Sequence, residues 1–151
     1  MNTEKSGKGG ARSSARLAVV QALYQMDMNG EAAVVVVGEF VEHRFSEIID
    51  DTPLNSADNK FFSDIVVGYE KQSDEIDANI KSSLSKDWTL ERVETVARAI
   101  LRAGTYEIMA RPDVPTSVII NEYVDVSKAF FEDSTPGFVN GVLDKIAKNV
   151  R

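Results

Sequence analysis

The fold class is decided by the end of the chain, Phe138-Val139-Asn140-Gly141-Val142-Leu143-Asp144-Lys145-Ile146-Ala147-Lys148-Asn149-Val150-Arg151. Its apolar positions follow the spacing of one α-helix face, at i, i+3, i+4, i+7 and i+11. These positions are Val139, Val142, Leu143, Ile146 and Val150. A helix with one apolar face must pack that face on a core, so the stretch predicts a docked amphipathic helix beginning at the turn Thr135-Pro136-Gly137.

Two side chains near the start of this helix have more than one possible role. Phe138 and Asn140 flank the first residue of the apolar stripe. An aromatic ring and an amide held at a rigid helix start can contact a partner. They can equally fill the edge of the core and cap the helix, and the spacing alone leaves both interpretations open.

The same periodicity recurs through the rest of the chain and predicts seven helices in all. We expect the first helix over 12–28, with its end at Gly30, and the second over 40–49. The third should begin at Ser56, and the fourth at Ser73 as its N-cap. The fifth is a long helix capped by Thr89, and the sixth begins at Pro115. In the first helix, the residues expected to point inward are Leu17, Val20, Leu23, Tyr24 and Met28. The valine-rich segment 32–37 is predicted to be a loop or a frayed strand. No strand is otherwise required, so the sequence predicts an all-α fold.

The domain organisation is predicted from charge and from one junction. Residues 1–10 form a flexible basic tail, 11–86 an N-terminal helical subdomain and 87–151 a C-terminal one, together making one domain.

Gly104 falls inside the fifth predicted helix, where glycine costs about 1 kcal/mol relative to alanine. We therefore expect another helix to approach closely at Gly104.

Composition excludes several classes of protein. The chain has 151 residues, of which 43% are hydrophobic, enough for a globular core. It has no cysteine, which removes disulfides, zinc–cysteine sites and thiol catalysis, and which suits a reducing cytoplasm. No apolar run approaches the roughly 18 residues of a membrane span, and the polar start of the chain does not predict a signal peptide.

Charge is distributed unevenly along the chain. Residues 1–16 carry a net charge of +3 and the remainder carries −10. A basic arm on an acidic body predicts a local contact with a polyanion and argues against non-specific coating of nucleic acid. A solvated, flexible leader is the alternative explanation for the arm.

Residue patterns for catalysis are nearly absent. His43 is the only histidine and has no serine pattern beside it. The acidic groups at 50–51 and 74–77 lack the spacing of a calcium loop, and the segment 7–10 lacks the features of a phosphate-binding loop. The residues therefore favour an α-helical binding module over an enzyme, with no catalytic or metal site.

Five motifs, in order along about residues 11–150, resemble the NusB transcription antitermination factor family. They are Ala15-Arg16-x-x-x-x-Gln21-Ala22-Leu23-Tyr24, Trp88-x-Leu90-x-Arg92-Val93-Glu94, Arg98-Ala99-Ile100-Leu101-Arg102-x-x-x-Tyr106-Glu107, Asp113-Val114-Pro115-x-x-Val118-x-Ile120-Asn121-Glu122 and Phe138-Val139-Asn140-Gly141-Val142-Leu143-Asp144. The resemblance implies two small helical bundles packed across each other. It also implies a cytoplasmic protein that binds boxA RNA together with NusE, the free form of a small-subunit ribosomal protein. Such a protein joins the RNA polymerase antitermination complex in ribosomal RNA operons, as a monomer or homodimer, without cofactor or catalysis.

The basic arm and the resemblance together predict an RNA-binding region. Arg12 and Arg16 are four residues apart at the start of the first helix, where guanidinium groups can bind phosphate or bases. Tyr24 could offer a stacking surface to a base. The resemblance adds Gln21, Phe138 and Asn140 to this region, with Asp133 at its edge. Surface charge for the arginines, and core packing for Tyr24 and Phe138, are the structural alternatives.

A partner surface is predicted separately. The family often has arginines where this chain has Ser13 and Ser14, so we expect RNA affinity to depend on NusE. The resemblance places the NusE-facing surface on the outer face of the fifth helix, with Glu91, Glu94 and Arg98 as candidates. Acidic residues there suit a basic ribosomal protein, although a solvated helix face explains them as well.

Two other functions remain open at this stage. A NusB-like domain also begins certain ribosomal RNA cytosine methyltransferases, and a structural helical oligomer is a weaker option. The chain ends at Arg151 without a Rossmann-like segment, which favours the stand-alone factor.

Overall fold

The structure is a computed structural model that describes residues 10–45 and 56–151. Within these ranges the chain is helical and contains no strand, which confirms the predicted all-α fold with about seven helices. The α-helices are α1 (Ala11–Asn29), α2 (Ala33–Glu39), α3 (Ser56–Lys71), α4 (Ser73–Ser83), α5 (Thr95–Ala110), α6 (Thr116–Phe130) and α7 (Thr135–Val150). A π-helical turn, Phe40–Phe45, follows α2, and a 3₁₀ turn, Leu90–Arg92, precedes α5.

Helix α5 lies at the centre and packs against α1, α3, α4, α6 and α7. Helices α1 and α5 are antiparallel, because Arg16 near the start of α1 pairs with Glu107 near the end of α5, while Asp27 near the end of α1 pairs with Arg98 near the start of α5. Helix α7 runs in the same direction as α5, since Arg151 after its last turn donates hydrogen bonds to carbonyl oxygens at the end of α5. The fold therefore has two ends, defined by the two ends of α5.

Two glycine predictions are confirmed. Gly30 ends α1 in the left-handed region, with φ 72°, and its N–H donates to the carbonyl of Met26. At Gly104, an added Cβ would lie 3.0 Å from the Leu143 methyl carbons and 3.4 Å from the Tyr123 ring. The missing side chain thus allows α6 and α7 to pack closely on α5.

The prediction for residues 32–37 is wrong, because α2 occupies Ala33–Glu39. Ala33 and Val36 are buried three residues apart, while Val34 and Val35 are exposed. Packing of one helical face on the core overrides the strand preference of valine.

One predicted cap and one predicted helix start are wrong. Helix α4 begins at Ser73, as expected, but its N-cap position is Gln72, whose side chain makes no capping hydrogen bond. Thr89 precedes only the 3₁₀ turn, and α5 begins at Thr95 with Glu94 as its cap. Spacing located these helices but not their caps, since caps depend on local hydrogen bonds.

Other predictions fall outside the described residues or remain untested. The basic tail up to residue 9 and the end of the second predicted helix at 46–53 lie outside the described residues. The division at residue 86 stays a prediction, and α1 packs on both α3 and α5 across it. No helix in 10–45 or 56–151 combines the length and apolar character needed to cross a membrane.

Candidate nucleic-acid interface

At one end of the fold, Arg16 is the centre of a buried network. Its side chain is fully buried, and its Nε and Nη2 atoms donate to the two carboxylate oxygens of Glu107 at 2.8 and 2.9 Å. Its Nη1 donates to Glu122 Oε1 at 3.3 Å, and the Ser13 hydroxyl donates to the same oxygen at 2.6 Å. We call Ser13, Arg16, Glu107, Glu122 and Tyr123 the buried arginine network. It joins the start of α1 to α5 and α6.

Tyr123 completes this network from α6. Its hydroxyl donates to Glu107 Oε2 at 2.5 Å, and its side chain is fully buried. Burial, and then the charge of Glu107, raise the pKa of Tyr123 well above its usual value of 10.0. The hydroxyl therefore remains a proton donor to the carboxylate across the neutral pH range.

Arg12 lies one turn before Arg16 and closer to the surface. It is half-buried, and its guanidinium carbon lies 4.4 Å from the centroid of the Phe61 ring. The Arg16 and Arg111 guanidinium carbons lie 5.0 and 5.1 Å from the same ring. Stacking on an aromatic ring restricts the Arg12 side chain near the molecular surface.

Arg111 beside this ring is engaged by carboxylates. It donates to both oxygens of Asp113, at 3.1 and 3.0 Å, and to Asp64 at 3.0 Å. The hydrogen bonds from Arg111 hold the pKa of Asp113 below its usual value. The two carboxylates thus hold Arg111 in place beside the Phe61 ring.

The burial of Arg16 contradicts the prediction that its side chain contacts RNA at the surface. A guanidinium that is 0% exposed and bonded to two carboxylates cannot meet a phosphate without unfolding its surroundings. Arg16 therefore positions the start of α1, and through it Arg12.

Along α1, Gln21 and Tyr24 lie on the outer side of the helix. Tyr24 is 38% exposed, and the expectation that Tyr24 and Met28 point into the core is wrong. A groove of about 520 Å³ is lined by Gln21, Tyr24, Gln25, Met28, Asn29 and Phe40. The Oε1 atom of Gln21 is buried and has no hydrogen-bond partner within the described residues.

At the other end of the fold, Phe138 packs with Trp88, which precedes α5. Its ring centroid lies 6.1 Å from that of Trp88, with the ring planes tilted by 45°. The Arg92 guanidinium carbon lies 5.3 Å from the centroid of the Trp88 ring. We call Trp88, Arg92 and Phe138 the tryptophan cluster. Phe138 is partly buried against the core, whereas Trp88 is 44% exposed.

The other two residues predicted from the start of α7 differ in their contacts. Asp133 accepts a hydrogen bond from the Thr135 N–H at 2.9 Å, and hydrogen bonding by the Thr135 side chain and then by this N–H lowers the pKa of Asp133. The carboxylate thus caps the beginning of α7, while Asn140 is exposed.

The predicted RNA-binding residues are divided between the two ends. Arg12 and Arg16 lie near the end of α5, whereas Phe138 lies beside Trp88, before α5 begins. Phe138 therefore lies away from Arg16, and its membership of one RNA-binding region with Arg16 and Tyr24 stays a prediction. Tyr24 lies about 18 Å along α1 from Arg12, at the same end as the tryptophan cluster.

Two of the three predicted partner residues make contacts within the protein, and the partner surface itself stays a prediction. Glu94 Oε1 accepts hydrogen bonds from the Val96 and Ala97 N–H groups at 2.7 and 3.0 Å, which caps α5. Arg98 donates to Asp27 at 3.0 and 2.9 Å and to backbone carbonyl oxygens before α5. Glu91 has an exposed side chain and remains a candidate for the partner surface.

Sequence reasoning missed four residues that shape these ends. Glu107 and Glu122 each stand in a quoted motif, and Trp88 and Arg92 stand together in another. The available signal was the position of Arg16 four residues before Val20, on the buried side of α1. A buried arginine needs carboxylate partners. Within the described ranges, no group of three or more histidine and acidic residues is placed to hold a metal ion.

The fold and these contacts define a small all-helical binding protein, and comparisons with known proteins identify its family. Residues 13–148 match the NusB family model. The transcription antitermination protein NusB of Sphingopyxis alaskensis is 51% identical over 141 residues, covering 93% of this chain and 95% of the relative. The NusB of Caulobacter vibrioides is 49% identical over 140 residues, covering 93% and 94%. The chain belongs to the NusB family.

Solved structures agree with this assignment. A crystal structure of T. maritima NusB is 32% identical, with a TM-score of 0.75, and covers 91% of this chain and 90% of the other. A crystal structure of the antitermination factors NusB and NusE in complex with double-stranded RNA is 25% identical, with a TM-score of 0.74, and covers 92% and 97%.

Proposed function

We propose that this NusB-family protein is an RNA-binding transcription antitermination factor. It binds boxA RNA together with NusE and joins the RNA polymerase antitermination complex, which promotes processive transcription of ribosomal RNA operons. The observation that carries the proposal is the family match over residues 13–148. The similarity to NusB in a complex with NusE and RNA supports it.

The RNA contacts we propose start at Arg12 and continue along the outer side of α1. Arg12, stacked on Phe61, binds a phosphate, since a restricted guanidinium loses less freedom on binding. Gln21 lines the same groove as Tyr24, and Tyr24 offers a partly exposed ring for stacking on a base.

At the other end, we propose that Phe138 and Asn140 also face the RNA, with Asp133 at the edge. The two ends are separated by about 18 Å of α1, which a single strand of a few nucleotides can span. Arg16 contributes as a positioning residue that fixes the start of α1 through Glu107 and Glu122.

NusE raises the RNA affinity in this proposal, because the exposed basic groups at the start of α1 are few. Ser13 stands where the family often has an arginine, and its hydroxyl is bonded to Glu122. Binding of NusE and RNA should be coupled reciprocally by about 1–3 kcal/mol. The protein acts as an adaptor in the cytoplasm rather than as an enzyme.

Gel-shift titrations test the proposal with boxA RNA and a scrambled RNA of equal length, each with and without NusE. We expect preferential binding of boxA, strengthened by NusE. Arg12→Ala should weaken binding and reduce the slope of log affinity against log salt by roughly 0.7, the value for one phosphate on a single strand. Lys81→Ala, an exposed cation on α4, is the matched control and should leave the slope unchanged. Equal affinity for boxA and scrambled RNA in the presence of NusE would refute the proposal.

A further inference from the structure

The side chain of Arg151 holds the end of α5 and the loop that follows it. A guanidinium has five N–H donors, and that of Arg151 makes five hydrogen bonds of 2.7 to 3.3 Å. The acceptors lie between the last turn of α5 and the first residue of α6, and they are the carbonyl oxygens of Glu107, Ile108, Arg111 and Val114 and the hydroxyl of Thr116. The donors of Arg151 are therefore all engaged within the protein.

One path leads from Arg151 through Glu107 to the start of the first helix. The Glu107 carbonyl oxygen accepts a hydrogen bond from Arg151 at 3.3 Å, while its carboxylate accepts two from Arg16 at 2.8 and 2.9 Å. Arg16 lies one turn after Arg12 in α1. The backbone that Arg151 holds thus carries the carboxylate that fixes the start of α1.

A second path leads from Arg151 through Arg111 to the aromatic ring beside Arg12. The Arg111 carbonyl oxygen accepts the shortest of the five hydrogen bonds, at 2.7 Å. The Arg111 guanidinium carbon lies 5.1 Å from the centroid of the Phe61 ring, and that of Arg12 lies 4.4 Å from the same centroid. A single side chain after α7 therefore holds the backbone of two residues that support Arg12.

We infer that Arg151 is a positioning residue for RNA binding, which fixes Arg12 and does not itself contact the RNA. The inference rests on the proposed function, in which Arg12 binds a phosphate. Because the supports of Arg12 are fixed before binding, its guanidinium loses less freedom when RNA binds. Two other roles compete with this one. Arg151 could stabilise the fold only, as a cation at the end of α5, or it could attract RNA through its charge alone.

Replacement of Arg151 by lysine separates positioning from charge. Lysine keeps the positive charge but lacks the planar arrangement of five donors. In gel-shift titrations of boxA RNA with NusE present, Arg151→Lys and Arg151→Ala should each weaken binding roughly 5-fold. Lys148→Ala removes a 75% exposed cation from the last turn of α7 and is the matched control, with an expected change below about 2-fold.

A double-mutant cycle with Arg12 tests the path of the effect. If Arg151 acts through Arg12, Arg151→Lys should change the RNA affinity of an Arg12→Ala protein by less than about 2-fold, whereas independent effects multiply. Thermal melts and NusE titrations without RNA show that each variant is folded. Arg151→Lys keeps the test valid if Arg151→Ala melts at low temperature.

Three outcomes would overturn the inference. If Arg151→Lys binds RNA as tightly as the original protein, Arg151 acts only through its charge or stabilises the fold. If the effects of Arg151→Lys and Arg12→Ala multiply, Arg151 does not act through Arg12. If Lys148→Ala weakens binding as much as Arg151→Ala, loss of a cation explains both. In each case a preference of the unmodified protein for boxA over scrambled RNA leaves the proposed function standing, whereas loss of that preference refutes both proposals.

Discussion

Arg16 and Arg92, which lie at opposite ends of the α1–α5 pair, have opposite environments. At one end, Arg16 is fully buried and bonded to two carboxylates, so its charge stabilises the junction of three helices. At the other, Arg92 lies exposed over Trp88, where its charge and the ring remain available to other molecules. The comparison shows that an arginine in a family motif has no fixed role. Burial decides whether it stabilises the fold or contributes to binding.

The largest effect should come from removing the buried charge. Arg16→Ala leaves Glu107 and Glu122 buried without their cation, and we expect a loss of about 3–5 kcal/mol in the free energy of unfolding, measured with urea. Arg12→Ala, one turn away and half-buried, is the matched control and should lose far less. A loss below about 1 kcal/mol for Arg16→Ala would show that the network does not stabilise this end.

A smaller effect is expected at Tyr123, with a distinctive dependence on pH. Tyr123→Phe removes the donor to Glu107 and should lower the free energy of unfolding by about 1–2 kcal/mol near neutral pH. Since the pKa of Tyr123 is raised above 10.0 in the folded state, its contribution is fully present below pH 10.0 and is lost as the pH rises further.

Unfolding curves at about pH 8 and about pH 11 measure this dependence for both proteins. The difference between the original protein and Tyr123→Phe should shrink at the higher pH. Tyr106, whose pKa is raised to about 12 by burial and by its bond to Asp64, titrates in both proteins and cancels in the comparison. A difference that stays constant with pH would contradict the assignment.

The smallest effect is expected at the end that carries the tryptophan cluster. Glu94→Ala removes the cap of α5 and should lower the free energy of unfolding by about 1 kcal/mol. Glu94→Gln keeps an oxygen acceptor and should recover part of this loss, while Glu91→Ala should stay within about 0.5 kcal/mol. If Glu94→Ala is as stable as Glu91→Ala, the capping role is wrong.

The sequence predicted the helices well where packing imposes a regular period. Val139, Val142, Leu143 and Ile146 are buried, as their spacing in the last helix predicts, whereas Val150, the last position of the stripe, is exposed. In α1 the predicted inward set is only partly right, because Val20 and Leu23 are buried but Tyr24 and Met28 are exposed. Residue type alone does not distinguish a core side chain from an exposed side chain that lines a groove.

The candidate site was less predictable, since it depends on contacts between distant parts of the chain. The network joins Arg16 to Glu107, 91 residues away, and no local pattern encodes such a distance. Trp88 and Phe138 come together only because α7 runs in the same direction as α5. The motifs contained these residues, but the sequence did not show which of them meet.

The buried arginine network also has a consequence for how this sequence can change over evolutionary time. Replacing Arg16 singly leaves Glu107 and Glu122 in the interior without their cation, and replacing either carboxylate removes hydrogen bonds from the buried guanidinium. Replacing all three with apolar residues of similar volume removes the buried charges altogether. The three positions are therefore expected to covary among relatives, either kept together or exchanged together. Relatives in which only one of the three residues is replaced should be rare, since such a protein would be less stable.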